Sequence, residues 1–230
     1  MKKTILYLCL LAIPFIAPAQ ECSKMYGFFK TGTQLEYTHY NKKGKVESVN
    51  TQKLTQIENR KDTLVATFDV TSVNEKGKQL YTNTFPIKCY SGTVFMDMRS
   101  ITPSQQNAAQ SPDMQIEVSG SDLVFPPGMK GGQALPDAEM GIIMRLGSLQ
   151  VLNTRYFIKN RKVEGEESIT TAAGTFKCLK ISYDMEYKFM GTHNIHTLYW
   201  YTPDAGMVKS VSYDKKGNEE GRIELTKLGK

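Results

Sequence analysis

Residues 174–213 read GTFKCLKISYDMEYKFMGTHNIHTLYWYTPDAGMVKSVSY, and this stretch decides the fold. Leu179, Ile181, Tyr183, Met185 and Tyr187 alternate with Lys180, Ser182, Asp184 and Glu186, the period-two pattern of a half-buried strand. Leu198-Tyr199-Trp200-Tyr201, which holds the only tryptophan, predicts a second strand. Pro203-Asp204-Ala205-Gly206 supplies a tight turn, and Met207 to Tyr213 returns antiparallel. No catalytic arrangement is recognisable here. What the stretch specifies is an antiparallel meander.

The same chemistry extends outward. Asn41-Lys42-Lys43-Gly44, Asn74-Glu75-Lys76-Gly77 and Asp214-Lys215-Lys216-Gly217 are three turns of one type, each with glycine where a positive φ is needed. Between and after them Val46–Ile57, Leu64–Val73, Gln79–Cys89 and Thr93–Met98 read as strands, with a turn at Tyr90-Ser91-Gly92. Thr102-Pro103 is a helix-start signal, so Ser104–Gln110 is expected to be a short helix or ordered loop. Gln115–Val118, Asp122–Phe125, Ile142–Val151, Thr154–Glu164 and Glu166–Thr171 complete the strands, with a turn expected at Gly165. A dozen or so strands with almost no helix predict an all-β fold. The expectation is one large, strongly curved antiparallel sheet forming a closed or half-open barrel, because so many strands do not stay flat.

Lys2 and Lys3, an apolar run from Ile5 to Ile16, and Ala17-Pro18-Ala19 make the tripartite pattern of a secretory signal peptide. Residues 1–20 are expected to be removed, leaving 21–230 as a single all-β domain. Cys22 follows Gln20-Glu21, which suits a bacterial lipid-anchor site poorly, so a soluble exported protein of the periplasm, or one associated with the outer membrane, is expected. No later stretch is as apolar, so no transmembrane segment is expected in the mature chain. Loss of Lys2 and Lys3 from the 29 basic residues leaves 27 against 23 acidic ones. The lysines read as dispersed, and nucleic acid is not an expected partner. Three cysteines remain, an odd number. Cys89 and Cys178 lie in strand-like segments and read first as plain buried residues; a bridge from Cys22 to either is the alternative, and spacing does not choose between them.

Three segment groups carry a family resemblance. They are Gly32–Tyr37 with Tyr40–Lys45, then Leu123–Asp137, then Ala173–Cys178 with Trp200–Lys209. Together they resemble the TapB-like family of exported bacterial envelope proteins and span almost the whole mature chain. The resemblance implies a curved antiparallel β fold and an envelope location, and it brings no catalytic residue.

The chemistry-bearing residues are sparse. His193-x-x-His196 on a strand would point to opposite faces, and a zinc site needs three or four converging ligands. Cys178 in a regular strand reads as a buried structural residue rather than a nucleophile. The Glu166-Glu167 and Glu219-Glu220 pairs diverge for the same reason as the histidines. No enzyme, cofactor or metal is expected. Two features point elsewhere. Methionines recur through the β segments and suit an adaptable apolar surface. Pro126–Glu139, with three prolines and three glycines, has the composition of a flap over a binding cavity. The expected function is binding of an apolar ligand, a lipid or acyl chain, in a concave β cavity lined by Met129, Leu135, Met140, Met144, Met185 and Trp200. The alternative is a structural or assembly component of the envelope working through protein–protein contacts.

Overall fold

The hairpin turns and alternating strands assemble as their sequence dictates. A computed structural model describes residues 18–98, 114–188 and 191–229. A short helix, α1 (Pro18–Met25), precedes β1 (Gln34–Asn41), β2 (Val46–Arg60), β3 (Thr63–Asn74), β4 (Gln79–Tyr90) and β5 (Thr93–Asp97). Then follow β6 (Met114–Gly120), β7 (Asp122–Phe125), β8 (Ala138–Leu146), β9 (Leu149–Thr171), β10 (Gly174–Lys188), β11 (Thr192–Thr202), β12 (Gly206–Tyr213) and β13 (Glu219–Gly229). All belong to one antiparallel sheet in the order β6-β8-β9-β10-β11-β12-β13-β1-β2-β3-β4-β5-β7, nearly closed into a barrel. The expected helix at 104–110 lies outside the described residues.

The three Lys-Gly turns are chemically identical in space as well as in sequence. In each, the Asn or Asp side chain accepts the backbone N–H groups two and four residues on, at 2.8–3.1 Å, and the glycine takes a φ of 71–81°. Gly165 does not turn the chain. It sits inside β9 opposite Lys180, beside a register shift, so a predicted pair of strands is one long curved strand.

The two edges of the sheet are halves of one strand. β6 pairs with β8, β7 pairs with β5, and only Ser121 separates β6 from β7. A Cβ at Gly120 would run into the Glu139 carbonyl, so glycine is required where the strand changes partners. Along β9, beyond the end of its ladder with β8, the place of a neighbouring strand is taken by residues 132–136. Gly132 N–H donates to the Val163 carbonyl, Val163 N–H to Gln133, and Leu135 N–H to Arg161, at 2.7–2.8 Å. The half of the Pro/Gly loop expected to hinge is therefore a strut on β9.

The principal core fills the concave side. Phe29, Phe68, Leu54, Leu64, Met98 and Met140 are its largest enclosed members. Tyr26, Phe28 and Phe29, packed ring on ring at 4.4–5.8 Å, cap the end where the β4–β5 and β11–β12 turns meet. A disulfide from Cys22 to Cys89 ties this cap to β4, and Cys178 stays free and buried.

Candidate functional site

At the capped end, the N-terminal segment does not seal the concave face. A pocket of about 290 Å³ remains between three walls. Met25 and Tyr26 form one, and the turn Pro126–Met129 forms the second. The third is sheet: Glu166 from β9, Lys177–Leu179 from β10, and Tyr201 and Pro203 at the end of β11. Leu179 lies opposite both Tyr201 and Glu166 in the ladders, so these three share the inner face. The walls are mainly apolar, with Glu166 and Lys177 as charged points.

Tyr201 is the chemically distinctive member. Its ring stacks on Phe125 at 5.2 Å, and the residue is 4% exposed, yet its hydroxyl completes no regular hydrogen bond. It lies beside the Tyr26 hydroxyl, whose own proton goes to the Gly92 carbonyl. Burial raises the Tyr201 pKa further above its ordinary value, so the group is a neutral donor. Its proton is directed at the Tyr26 oxygen, so the two hydroxyls and the Gly92 carbonyl form a short polar line beside the apolar pocket wall.

Behind the pocket stands Arg161, 3% exposed. Its Nη1 donates to the Val124 carbonyl of β7 at 3.2 Å and to the Pro136 carbonyl at 2.7 Å. Its guanidinium also lies 5.1 Å from the centre of the Phe125 ring. The side chain thus closes the seam between the two edges of the barrel. Burial pulls its pKa down from the usual arginine value, opposed by Tyr199, Tyr183 and Asp137. It holds in place Phe125, the ring on which the pocket's Tyr201 stacks.

Toward the opposite end the concave face is polar. Asn50 donates to Nε2 of His39 at 2.9 Å and to the Tyr81 hydroxyl at 3.3 Å. Burial lowers the His39 pKa, so its neutral form, with Nε2 as acceptor, is the folded form. Because the folded pKa lies below that of the unfolded chain, this contribution is whole above pH ~6.5 and is lost as pH falls toward the folded value. The melting temperature is expected to drop between pH 7 and 5, and the drop to flatten in His39→Gln; an unchanged slope would contradict it.

The residues expected to line a cavity are not brought together. Met129 alone borders the pocket. Leu135 and Met140 are packed inside the core, and Met185 lies half-buried against it. Met144 is half-buried on β8, on neither the pocket nor this cluster. Trp200 is buried but faces the other way. It belongs to a second cluster with Cys178, Val208 and Val211 on the convex side, because Tyr199 and Tyr201 take the inner positions. There its Nε1 donates to Glu167 at 2.9 Å, and Lys180 lies 5.6 Å from the ring centre. Trp200→Ala is expected to cost about 2–3 kcal/mol in a urea melt, at or under the lower end of ~3–5 for an enclosed tryptophan, because the cluster it packs in is small. A cost above about 4 kcal/mol would contradict that placement.

The remaining chemistry is tame. His193 stacks on Tyr187 at 4.8 Å, while His196 pairs with Asp184 at 2.8 Å on the other face. His196 and then Asn160 hold the Asp184 carboxyl below its ordinary range. Burial, with Glu167 nearby, pushes the Cys178 thiol up to about 11, so it is protonated at neutral pH. Among the described residues no three His, Cys, Asp or Glu side chains converge as a metal site.

With this geometry in place, comparison with known proteins is informative. The family model described as DUF3108-like matches residues 30–225. The chain belongs to the DUF3108-like family. The TapB-like name drawn from the motifs is not among the names found. A candidate exported protein with a YmcC-like fold from Bacteroides fragilis is 19% identical, the match covering 90% of this chain and 99% of that one at a TM-score of 0.73. A candidate lipoprotein from Parabacteroides distasonis is 21% identical, covering 89% of this chain and 99% of that one at a TM-score of 0.71. Both likenesses concern the fold. No curated protein is significantly similar to the chain. Within this DUF3108-like barrel, sequence reasoning missed Tyr201, Leu179 and Arg161; the alternation of the neighbouring β10 was the signal that places the first two on the inner face.

Proposed function

We propose that this is an exported, non-enzymatic envelope protein that holds an apolar group in the pocket between its N-terminal cap and the Pro126–Met129 turn. The observation that carries it is the apolar-walled space of about 290 Å³ between the N-terminal cap, the Pro126–Met129 turn and the inner face of the sheet. That volume is at the lower limit of the ~300–1,000 Å³ of small-molecule sites, so it suits the end of an acyl chain or a small ring rather than a whole lipid. Export is supported by the signal-peptide pattern and by the exported and lipoprotein descriptions of the two structural neighbours. The Cys22–Cys89 disulfide supports it too, since such bonds persist in oxidising compartments. A Cys22 sulfur bonded to Cys89 is not free for a thioether lipid, which favours an unanchored mature protein.

A titration with the apolar fluorophore N-phenyl-1-naphthylamine tests the site. Met129→Trp, which fills the pocket, is expected to weaken binding about tenfold or more, while Met144→Gln, away from it, leaves binding unchanged. Equal effects of the two, or no binding at all, would overturn the reading.

A further inference from the structure

The lysines that look dispersed in the sequence are gathered by the topology. The β1–β2, β3–β4 and β12–β13 turns lie at one end of the barrel, because β12, β13, β1, β2, β3 and β4 are successive antiparallel neighbours. That end therefore carries Lys42, Lys43, Lys45, Lys76, Lys78, Lys215 and Lys216, all exposed. The acids among or beside them are fewer: Glu47, Glu75, Glu220 and Asp214, with Glu219 paired to Arg222. The Asp214 carboxylate, held by the N–H groups of Lys216 and Asn218, keeps its negative charge, so seven lysines stand against four acids outside the Glu219–Arg222 pair.

The same end carries a protruding apolar tip. Among the described residues the β9 ladder with β10 ends at Tyr156 and Thr154 Oγ1 donates to the Lys188 carbonyl at 2.7 Å, so Leu149–Asn153 pair with β8 and the β8–β9 hairpin extends beyond the last described residue of β10. At its tip Leu146 and Val151 are exposed and Leu149 is 64% exposed, around the Gly147-Ser148 turn. Apolar side chains at a turn on the same end of the barrel as a lysine rim have the chemistry of an interfacial anchor: the lysines meet lipid phosphates while the tip enters the acyl boundary. The lysine side chains also share the turns' fixed backbone, so their charges reach the surface together.

We propose that this end of the barrel docks on an anionic phospholipid bilayer, with the β8–β9 tip inserted. The pocket lies at the other end of the barrel and stays accessible in that orientation. The proposal does not depend on the pocket being filled.

Protein purified as its host produces it, mixed with vesicles of phosphatidylglycerol and phosphatidylcholine in equal parts, tests this by sedimentation. Binding is expected at ~0.1 M salt, with little on pure phosphatidylcholine, and is expected to fall at ~0.5 M. The joint variant Lys42→Gln, Lys43→Gln, Lys215→Gln, Lys216→Gln and the single variant Leu149→Asp should each lower partitioning about tenfold with unchanged melting. Salt-insensitive binding, equal binding to neutral vesicles, or full binding by both variants would overturn it. So would absence of vesicle binding together with a dimer in solution that Leu149→Asp dissociates, since the tip would then be an interface between copies. The salt series on the unaltered protein keeps the test decisive even if a variant misfolds.

Discussion

Arg161→Met should lower the stability of the folded chain by about 4 kcal/mol in urea melts. The methionine keeps the stem and removes the guanidinium, so the Val124 and Pro136 carbonyls lose a buried donor, each at a cost of ~1–3 kcal/mol. The interaction with the Phe125 ring is lost as well. Arg161→Lys should recover part of the loss, because an ammonium can donate to the carbonyls that Nη1 serves but does not lay a planar guanidinium beside the Phe125 ring. Hydrogen exchange in the variant should rise first in β7 and in residues 132–136, the two sides of the seam. A loss under about 1 kcal/mol would show that the seam is held by backbone pairing alone.

Removal of the disulfide should be comparably costly. Cys22→Ser, or reduction, opens a bridge between residues 67 apart, for which chain entropy alone predicts about 4 kcal/mol. In a chain of this size that corresponds to a fall in melting temperature of roughly 10 °C. The effect has a local signature. The bridge holds the segment bearing Tyr26, Phe28 and Phe29 against the end of the barrel, so protease sensitivity should appear between Met25 and Lys30 before elsewhere. A melting temperature unchanged by reduction would mean that the aromatic cap holds itself.

Much of this architecture was legible in residue order. Alternation in Leu179–Tyr187 and the three Asx-Lys-Gly turns define antiparallel hairpins, and a sheet of so many strands has to curl. The pocket was legible only in part. Tyr199-Trp200-Tyr201 has no polar member to say which side faces in, and the lone tryptophan drew attention to the wrong face. Only pairing with β10, where Lys180 meets Trp200 and Leu179 meets Tyr201, resolves it. Methionine frequency was equally indirect, since Met140 fills the core and Met129 borders the pocket with the same chemistry. Arg161 was invisible because its partners are main-chain carbonyls, which leave no mark in sequence. Half of the flap expected at Pro126–Glu139 is a strut because Gly132–Leu135 finds hydrogen-bond partners on β9 that no local pattern announces, while Pro126–Met129 borders the pocket.

Native mass spectrometry of the protein isolated from its own host tests the central claim most directly. A pocket that holds an apolar group predicts a mature chain with residues 1–19 or 1–20 removed, carrying a non-covalent small molecule that disappears in Met129→Trp. A bare mature chain, an adduct untouched by Met129→Trp, or a stoichiometric protein partner in place of the small molecule would contradict it.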